Sequence, residues 1–425
     1  MKHSWEYLGK YSEILHYCAS SCEGCLLGFP HYLPICPAGE NFRLLSYYMK
    51  GKGGMAHALY REAIKFKPEV VEIFFACPLC GACAEVCCTE WSDYALEVME
   101  AVRAEAVRTG IGPMPEQKKF GEHIRREHNP YFEPHSSRRA WLPRRDLPKN
   151  AKFVYFVGCT SSYRQTNIAL ATLEILERMG INFTILEDEW CCSSPLLRTG
   201  QWNLAAEQAR HNVKAIEEAG AEKLITSCAG CYRAWRMDWR GSYKELLGVE
   251  YDFEPIHITE LLARGFDALG AKEPLRIKVA YHDPCHLGRH CGVYDPPREI
   301  LSKIPGLELV EMERNRDGAW CCGAGGGFRA SFKEFSIRTA IERIREAEEA
   351  SAEAIATSCP FCWRNLSDAA SRSGSKLKVY DIVELVRKGA PLGMWPMGRV
   401  PPDPCDRNPF IFDKKKKGAQ GGEWH

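Results

Sequence analysis

The most constraining feature of this chain is a five-cysteine pattern written twice in register. Cys159, Cys191-Cys192 and Cys228-x2-Cys231 follow C-x31-CC-x35-CxxC. Cys285, Cys321-Cys322 and Cys359-x2-Cys362 follow C-x35-CC-x36-CxxC. The sequence between them repeats as well. AKFVYFVG, NFTIL and AEKLITS read as strands, and so do RIKVAYH, LELVEM and AEAIATS. NIALATLEILERMG and NLAAEQARHNVKAIEEAG have helical period in the first copy, as PPREILSKI and FKEFSIRTAIERIREAEEA do in the second. Such a duplication predicts βαβαβ units, hence parallel sheets flanked by helices. Every cysteine falls just past the carboxyl end of a predicted strand, the edge where open α/β sheets bind ligands. Five thiols per copy are therefore expected to converge.

The adjacent pairs limit what those thiols can do. Consecutive Cα atoms lie about 3.8 Å apart, whereas disulfides prefer roughly 4.4–6.8 Å. A bond within Cys191-Cys192 or Cys321-Cys322 would be strained. A tetrahedral zinc takes four ligands, one fewer than each set offers. A site with several metals can use all five. A buried cysteine pair, or a zinc clip at each CxxC, is the structural alternative. In the second copy Gly323, Gly325, Gly326 and Gly327 follow the pair as CCGAGGGF. They are read as cofactor-binding positions, letting backbone approach a cluster and aim N–H groups at its sulfurs. GAGGGF lacks the G-x-G-x-x-G spacing of a dinucleotide site, and no other flavin or nicotinamide fingerprint is present.

Upstream, Cys77, Cys80, Cys83 and Cys87 form C-x2-C-x2-C-x3-C, the run of bacterial ferredoxins. Cys18, Cys22, Cys25 and Cys36 form a looser partner, C-x3-C-x2-C-x10-C. In two-cluster modules the fourth cysteine of each run serves the other cluster. Cys18, Cys22, Cys25 and Cys87 would then hold one cube, and Cys77, Cys80, Cys83 and Cys36 the second. Cys88, Cys291 and Cys405 fall outside every motif. The chain has 21 cysteines, an odd count that suits metal chemistry in a reducing compartment better than a disulfide framework. Lys+Arg (56) and Asp+Glu (55) cancel, so no basic excess argues for nucleic acid. Lys414 to Lys417 read as a solvated end. No 18-residue apolar run and no signal-peptide core are present, so the expected location is cytoplasmic, with membrane association only through a partner.

The expected fold class is multidomain α+β and α/β. A mainly helical ferredoxin-like module with two [4Fe-4S] clusters (1–112) precedes a proline-rich extended linker (113–150). Two duplicated βαβ-type units with parallel sheets follow (151–270 and 271–390), then an extended tail (391–425).

From 151 to 390 the chain resembles the CCG-domain family, the B- and D-type subunits of heterodisulfide reductase and their relatives. The resemblance rests on both cysteine patterns, on HDPCHLGR from His282 to Arg289, and on CCGAGGG from Cys321 to Gly327. The first copy departs from it with CCSSP, placing Ser193 where glycine commonly follows the pair. The whole layout resembles the D-type subunit and the iron–sulfur subunits of glycolate and lactate oxidation. The resemblance implies a noncubane [4Fe-4S] cluster on each five-cysteine set, with two cubane clusters supplying single electrons. Each noncubane cluster would take one sulfur of a disulfide. Cys285, Cys321, Cys322, Cys359 and Cys362 would then be catalytic. His282 and His286 flank Cys285 and are candidate proton donors, since imidazole titrates near neutral pH; a structural hydrogen bond is the alternative for each. Arg289 would meet an anionic substrate, or pair with Asp295 or Glu299. With no flavin site or membrane span, partners are expected: a flavoprotein, other iron–sulfur subunits or a membrane cytochrome b, besides a small disulfide substrate. The alternative is an electron-relay subunit without disulfide chemistry, in a complex acting on aromatic acyl-CoA or 2-hydroxy acids or linked to electron-transfer flavoprotein. A zinc-bearing scaffold is a third reading.

Overall fold

The computed structural model describes residues 5–19, 24–28, 33–270 and 273–389. Cys22, Cys405, Lys414 to Lys417 and the expected tail at 391–425 lie outside the described residues.

Two four-stranded parallel sheets organise the chain. The first contains β1 (Phe153–Phe156), β2 (Phe183–Thr184), β3 (Lys223–Thr226) and β4 (Glu254–His257), in the order β2-β1-β3-β4. The second contains β5 (Ile277–Tyr281), β6 (Leu307–Val310), β7 (Ala354–Thr357) and β8 (Lys378–Asp381), in the matching order β6-β5-β7-β8. The duplication thus extends to topology. The fourth strand of each copy is absent from the sequence reading. β4 carries Pro255, which a sheet tolerates at its edge.

Helices Thr166–Arg178 and Trp202–Glu218 turn apolar stripes onto the first sheet, and helices Lys333–Glu349 and Pro360–Ser373 border the second. A single apolar layer joins the units, with Tyr155, Ile168 and Ile225 of the first and Val279, Ile300 and Ile382 of the second in one cluster. The pairing is reciprocal. Helix Thr166–Arg178 meets helix Ile382–Gly389, through Asn167 to Glu384 at 2.8 Å and Arg387 to Glu174 at 2.7 Å. Helix Ile258–Gly265 meets helix Asp295–Lys303. Each copy also repeats a buried hydroxyl pair: Tyr155 with Ser227 at 3.0 Å, and Tyr281 donating to Ser358 at 3.1 Å.

Residues N-terminal to the sheets are helical. Helix Ala95–Arg108 runs through the junction, burying Glu100, Arg103 and Glu105. Among the described residues no helix is long and apolar enough to cross a membrane.

Residues 113–150 differ from an extended linker. Pro115–Glu127 is a helix with Pro at its first turn, a position where the missing N–H costs nothing. Phe120 and Ile124, one turn apart, enter the core beside Leu197 and Trp202. Proline and charge masked this apolar pair. Ile124 is fully buried, so Ile124→Ala should lower stability by about 2–5 kcal/mol, read as a shift in denaturant midpoint. A loss below about 0.5 kcal/mol, usual for surface positions, would mean the helix is not packed.

Candidate iron–sulfur centres

The strand ends deliver the thiols. Cys159 opens a short helix after β1, Cys191 and Cys192 follow β2, and Cys228 caps helix Ala229–Arg233 after β3. Cys359 caps helix Pro360–Ser373 after β7 in the same way. A cavity of about 910 Å³ lies between the units. Every cysteine of both five-cysteine sets except Cys321 lines it, and Gly325, Gly326, Gly327 and His286 share the wall. The two sets come together in one buried cluster, which holds Cys228 of the first and Cys359 of the second. In the second set Cys322 and Cys362 Sγ atoms lie 3.2 Å apart.

Thiols so close share protons. A hydrogen bond from Cys191 holds the Cys192 thiol well below its ordinary range, with Cys231 adding a second. Cys321 and then Cys362 do the same for Cys322. Such a buried array, with Cys159 and Cys192 in one set and Cys322 and Cys359 in the other held below the ordinary thiol range, suits a polynuclear metal group and exceeds what one tetrahedral zinc needs.

The surroundings of the two sets differ. Arg138 is buried and donates to Cys159 Sγ at 3.5 and 3.6 Å. It also pairs with Glu189, which accepts from the N–H groups of Val157 (2.7 Å) and Gly158 (2.9 Å). In the second set Arg343 Nε donates to His282 Nδ1 at 3.2 Å, while Nε2 of that ring is buried without a hydrogen-bond partner, and the ring offers a nitrogen within 4.8 Å of the Cys322 and Cys362 sulfurs. This geometry gives His282 the structural hydrogen bond. His286 is buried; desolvation, reinforced by Arg233, holds its pKa well below the imidazole range, so it is neutral.

Ser193 occupies the place of Gly323 and takes the same left-handed conformation, φ 65° against 75°. A side chain there is strained. Its hydroxyl offsets part of the cost by donating to the Ala205 carbonyl at 2.9 Å. Gly323 N–H lies 3.2 Å from Cys321 Sγ. Gly326 has another reason to be glycine: a Cβ there would sit 2.8 Å from the Pro78 carbonyl oxygen. That close approach seats the Cys77–Cys87 segment on the second unit.

At this seat Cys80 meets Cys321, outside the large cavity. A hydrogen bond from Cys321, with Arg289 nearby, brings the Cys80 thiol down to about 6 against the opposing effect of burial. Arg289 pairs with neither Asp295 nor Glu299. It donates to the carbonyls of Cys80 (2.8 Å), Asp317 (2.9 Å) and Ala319 (2.6 Å), as a staple between modules. Cys36, Cys77, Cys80 and Cys83 line one small enclosed space. Cys18 and Cys25 pack with Cys87 in the neighbouring apolar cluster. Cys88 is exposed, and Cys291 is partly buried outside the cavity lining.

Sequence reasoning missed Arg138 and Tyr131, both from the segment read as a linker. Tyr131 lines the cavity, its hydroxyl 2.8 Å from that of Thr160. Arg164 of the first unit and Arg364 of the second stack on its ring, at 5.0 and 5.6 Å. No motif flags either residue, because the sequence does not announce where this segment returns.

Parallel sheets that present paired five-thiol sets to one cleft define a duplicated cysteine-rich iron–sulfur oxidoreductase component. Residues 153–235 and 279–367 each match the CCG cysteine-rich domain. The chain is 42% identical over 384 residues to the D subunit of dihydromethanophenazine:CoB–CoM heterodisulfide reductase from Methanosarcina barkeri, across 86% of this chain and 91% of that one. It is 32% identical over 341 residues to the B subunit of fumarate reductase (CoM/CoB) from Methanothermobacter marburgensis, across 80% of this chain and 66% of the relative. A solved hypothetical protein from Helicobacter pylori shares the fold, with a TM-score of 0.55 and 12% identity over 90% of this chain and 76% of that one. This chain belongs to the family of heterodisulfide reductase D subunits.

Thiols inside and outside the cavity should separate in an iron assay. Cys322→Ser should lose iron and sulfide from anaerobically purified protein, while Cys291→Ser and Cys88→Ser should retain both. Equal losses in Cys322→Ser and Cys291→Ser would reassign the ligands of the second set.

Proposed function

We propose that this chain is the disulfide-reducing iron–sulfur subunit of a larger complex, and that the disulfide is cleaved in the cavity between its two five-cysteine sets. One observation carries this reading: both thiol sets open onto the same cavity and share one buried cluster that includes Cys228 and Cys359. Cys159, Cys191, Cys192, Cys228 and Cys231 would hold one noncubane [4Fe-4S] cluster. Cys285, Cys321, Cys322, Cys359 and Cys362 would hold the other. Two cubanes in a ferredoxin-like module would sit on Cys18, Cys22, Cys25 and Cys87, and on Cys36, Cys77, Cys80 and Cys83. When bound, the clusters supply single electrons and iron sites for sulfur.

The protein's own part is to place and screen. Contact between Cys80 and Cys321 gives the second set the short path from the N-terminal module. Lys333 and Arg364 line the cavity without a carboxylate partner among the described residues, whereas Arg164 and Arg329 pair with Glu133 and Asp368, and the first two favour a disulfide bearing acidic groups. Arg138 hydrogen-bonds cysteine sulfur in the first set, and His282 stands beside the Cys322 and Cys362 sulfurs in the second. His286 borders the cavity as a neutral imidazole able to hold a hydrogen bond to bound sulfur. Electrons would come from a flavoprotein, another iron–sulfur protein or a membrane cytochrome b.

Anaerobically purified protein should contain about sixteen irons per chain, from four four-iron clusters. Viologen-driven disulfide reduction should be abolished, not halved, in Cys322→Ala and in Cys192→Ala, since groups acting as a unit are not additive. Half activity in either variant would sink the paired mechanism. No turnover of any disulfide by a fully loaded wild type bound to an electron-transfer partner would support the relay reading.

A further inference from the structure

Lys52 lies on helix Met49–Tyr60 and is 1% exposed. Its ammonium donates to the Tyr47 carbonyl and lines the small space enclosed by Cys36, Cys77, Cys80 and Cys83. Two further cations border the same thiols. Arg103, fully buried, donates to the Cys77 carbonyl at 2.6 Å. Arg289 donates to the Cys80 carbonyl, and its Nη2 is buried without a hydrogen-bond partner.

None of the three has a carboxylate partner among the described residues. Glu100 is engaged with Arg198, and Asp295 with Arg316. A buried cation without an anion is strongly disfavoured. What the three cations have in common is the cysteine set. Burial pushes the Cys36 thiol up to about 12, and Lys52 is the main opposing influence. Cys77 is the leading charge-stabilising neighbour of Arg103, and Cys80 that of Arg289. An anionic cluster on these thiols would complete the charge balance.

We propose that Lys52, Arg103 and Arg289 are the counter-charges of a cluster held by Cys36, Cys77, Cys80 and Cys83, and that Lys52 raises its reduction potential. The inference rests on the cubane reading of that set. Reduction adds a negative charge, so a fixed cation nearby favours the reduced form. Cys80 touches Cys321, so the electron is retained beside the second five-cysteine set.

The test is a redox titration followed by electron paramagnetic resonance on whole wild-type, Lys52→Met and Lys52→Arg protein. Lys52→Met keeps the unbranched shape and removes the charge. Iron content should be unchanged, and one cubane signal should titrate at lower potential. At fixed poise its reduced-to-oxidised ratio should fall about tenfold, about 59 mV for one electron. Lys52→Arg should restore most of the shift. Arg289→Gln should move the same signal in the same direction, and serves if Lys52→Met does not fold. Full iron with unmoved midpoints in Lys52→Met or Arg289→Gln overturns the proposal and leaves the iron–sulfur reading standing. A wild type whose iron and signals are unaffected by Cys36→Ser overturns the cluster assignment itself, and the proposal with it.

Discussion

Arg103 holds the three parts of the molecule together. Its guanidinium reaches the carbonyls of Phe74 and Cys77 in the N-terminal module, Arg198 in the first unit and Gly326 in the second. Charge-assisted bonds of this kind are short and strong. All four acceptors are backbone atoms, so the arginine reads chain position and not side-chain identity. One turn earlier on the same helix, Glu100 binds Arg198 and Tyr243 of the first unit. The CPLC loop is thereby pressed onto the CCGAGGG turn, and Cys80 reaches Cys321. Without this junction the two units would still form a cleft, but the N-terminal thiols would have no defined distance from it.

Much of this was legible in the sequence. β1, β3, β5 and β7 are short apolar runs that end at cysteine motifs, and the convergence of thiols follows from the rule for parallel sheet edges. β4 and β8 were not legible. EPIH and KVYD are four-residue edge strands with polar or proline positions, and pairing rather than composition defines them. Helix 115–127 was hidden for a related reason: its apolar face is only a few residues wide among many charges. Lys52, Arg138 and Tyr131 were illegible because their roles depend on where distant segments meet. A lysine in MKGKGGMAHALY looks solvated until the helix is seen to turn it inward.

The duplicated units have kept their scaffold and diverged in their details. Trp190 and Trp320 both precede the cysteine pair. Trp190 is sandwiched between His128 and His211 at 3.5 and 3.7 Å, partly open to solvent. Trp320 is buried, donates to the Thr339 carbonyl at 2.9 Å and carries Arg314 on its face at 4.4 Å. Phe156 stands in the first unit where His282 stands in the second, and Arg138 comes from outside the duplicated unit altogether.

The cavity inherits this divergence. Its framework is nearly symmetric, but its walls are not: Tyr131, Thr160 and Arg164 line one side, and Lys333, Ile337 and Phe361 the other. A strictly symmetric cleft would accept an unlike-ended molecule either way round with equal ease. Here the two orientations are diastereomeric, so the cleft has a head and a tail, and a mixed disulfide bound in it would present one chosen sulfur to each half.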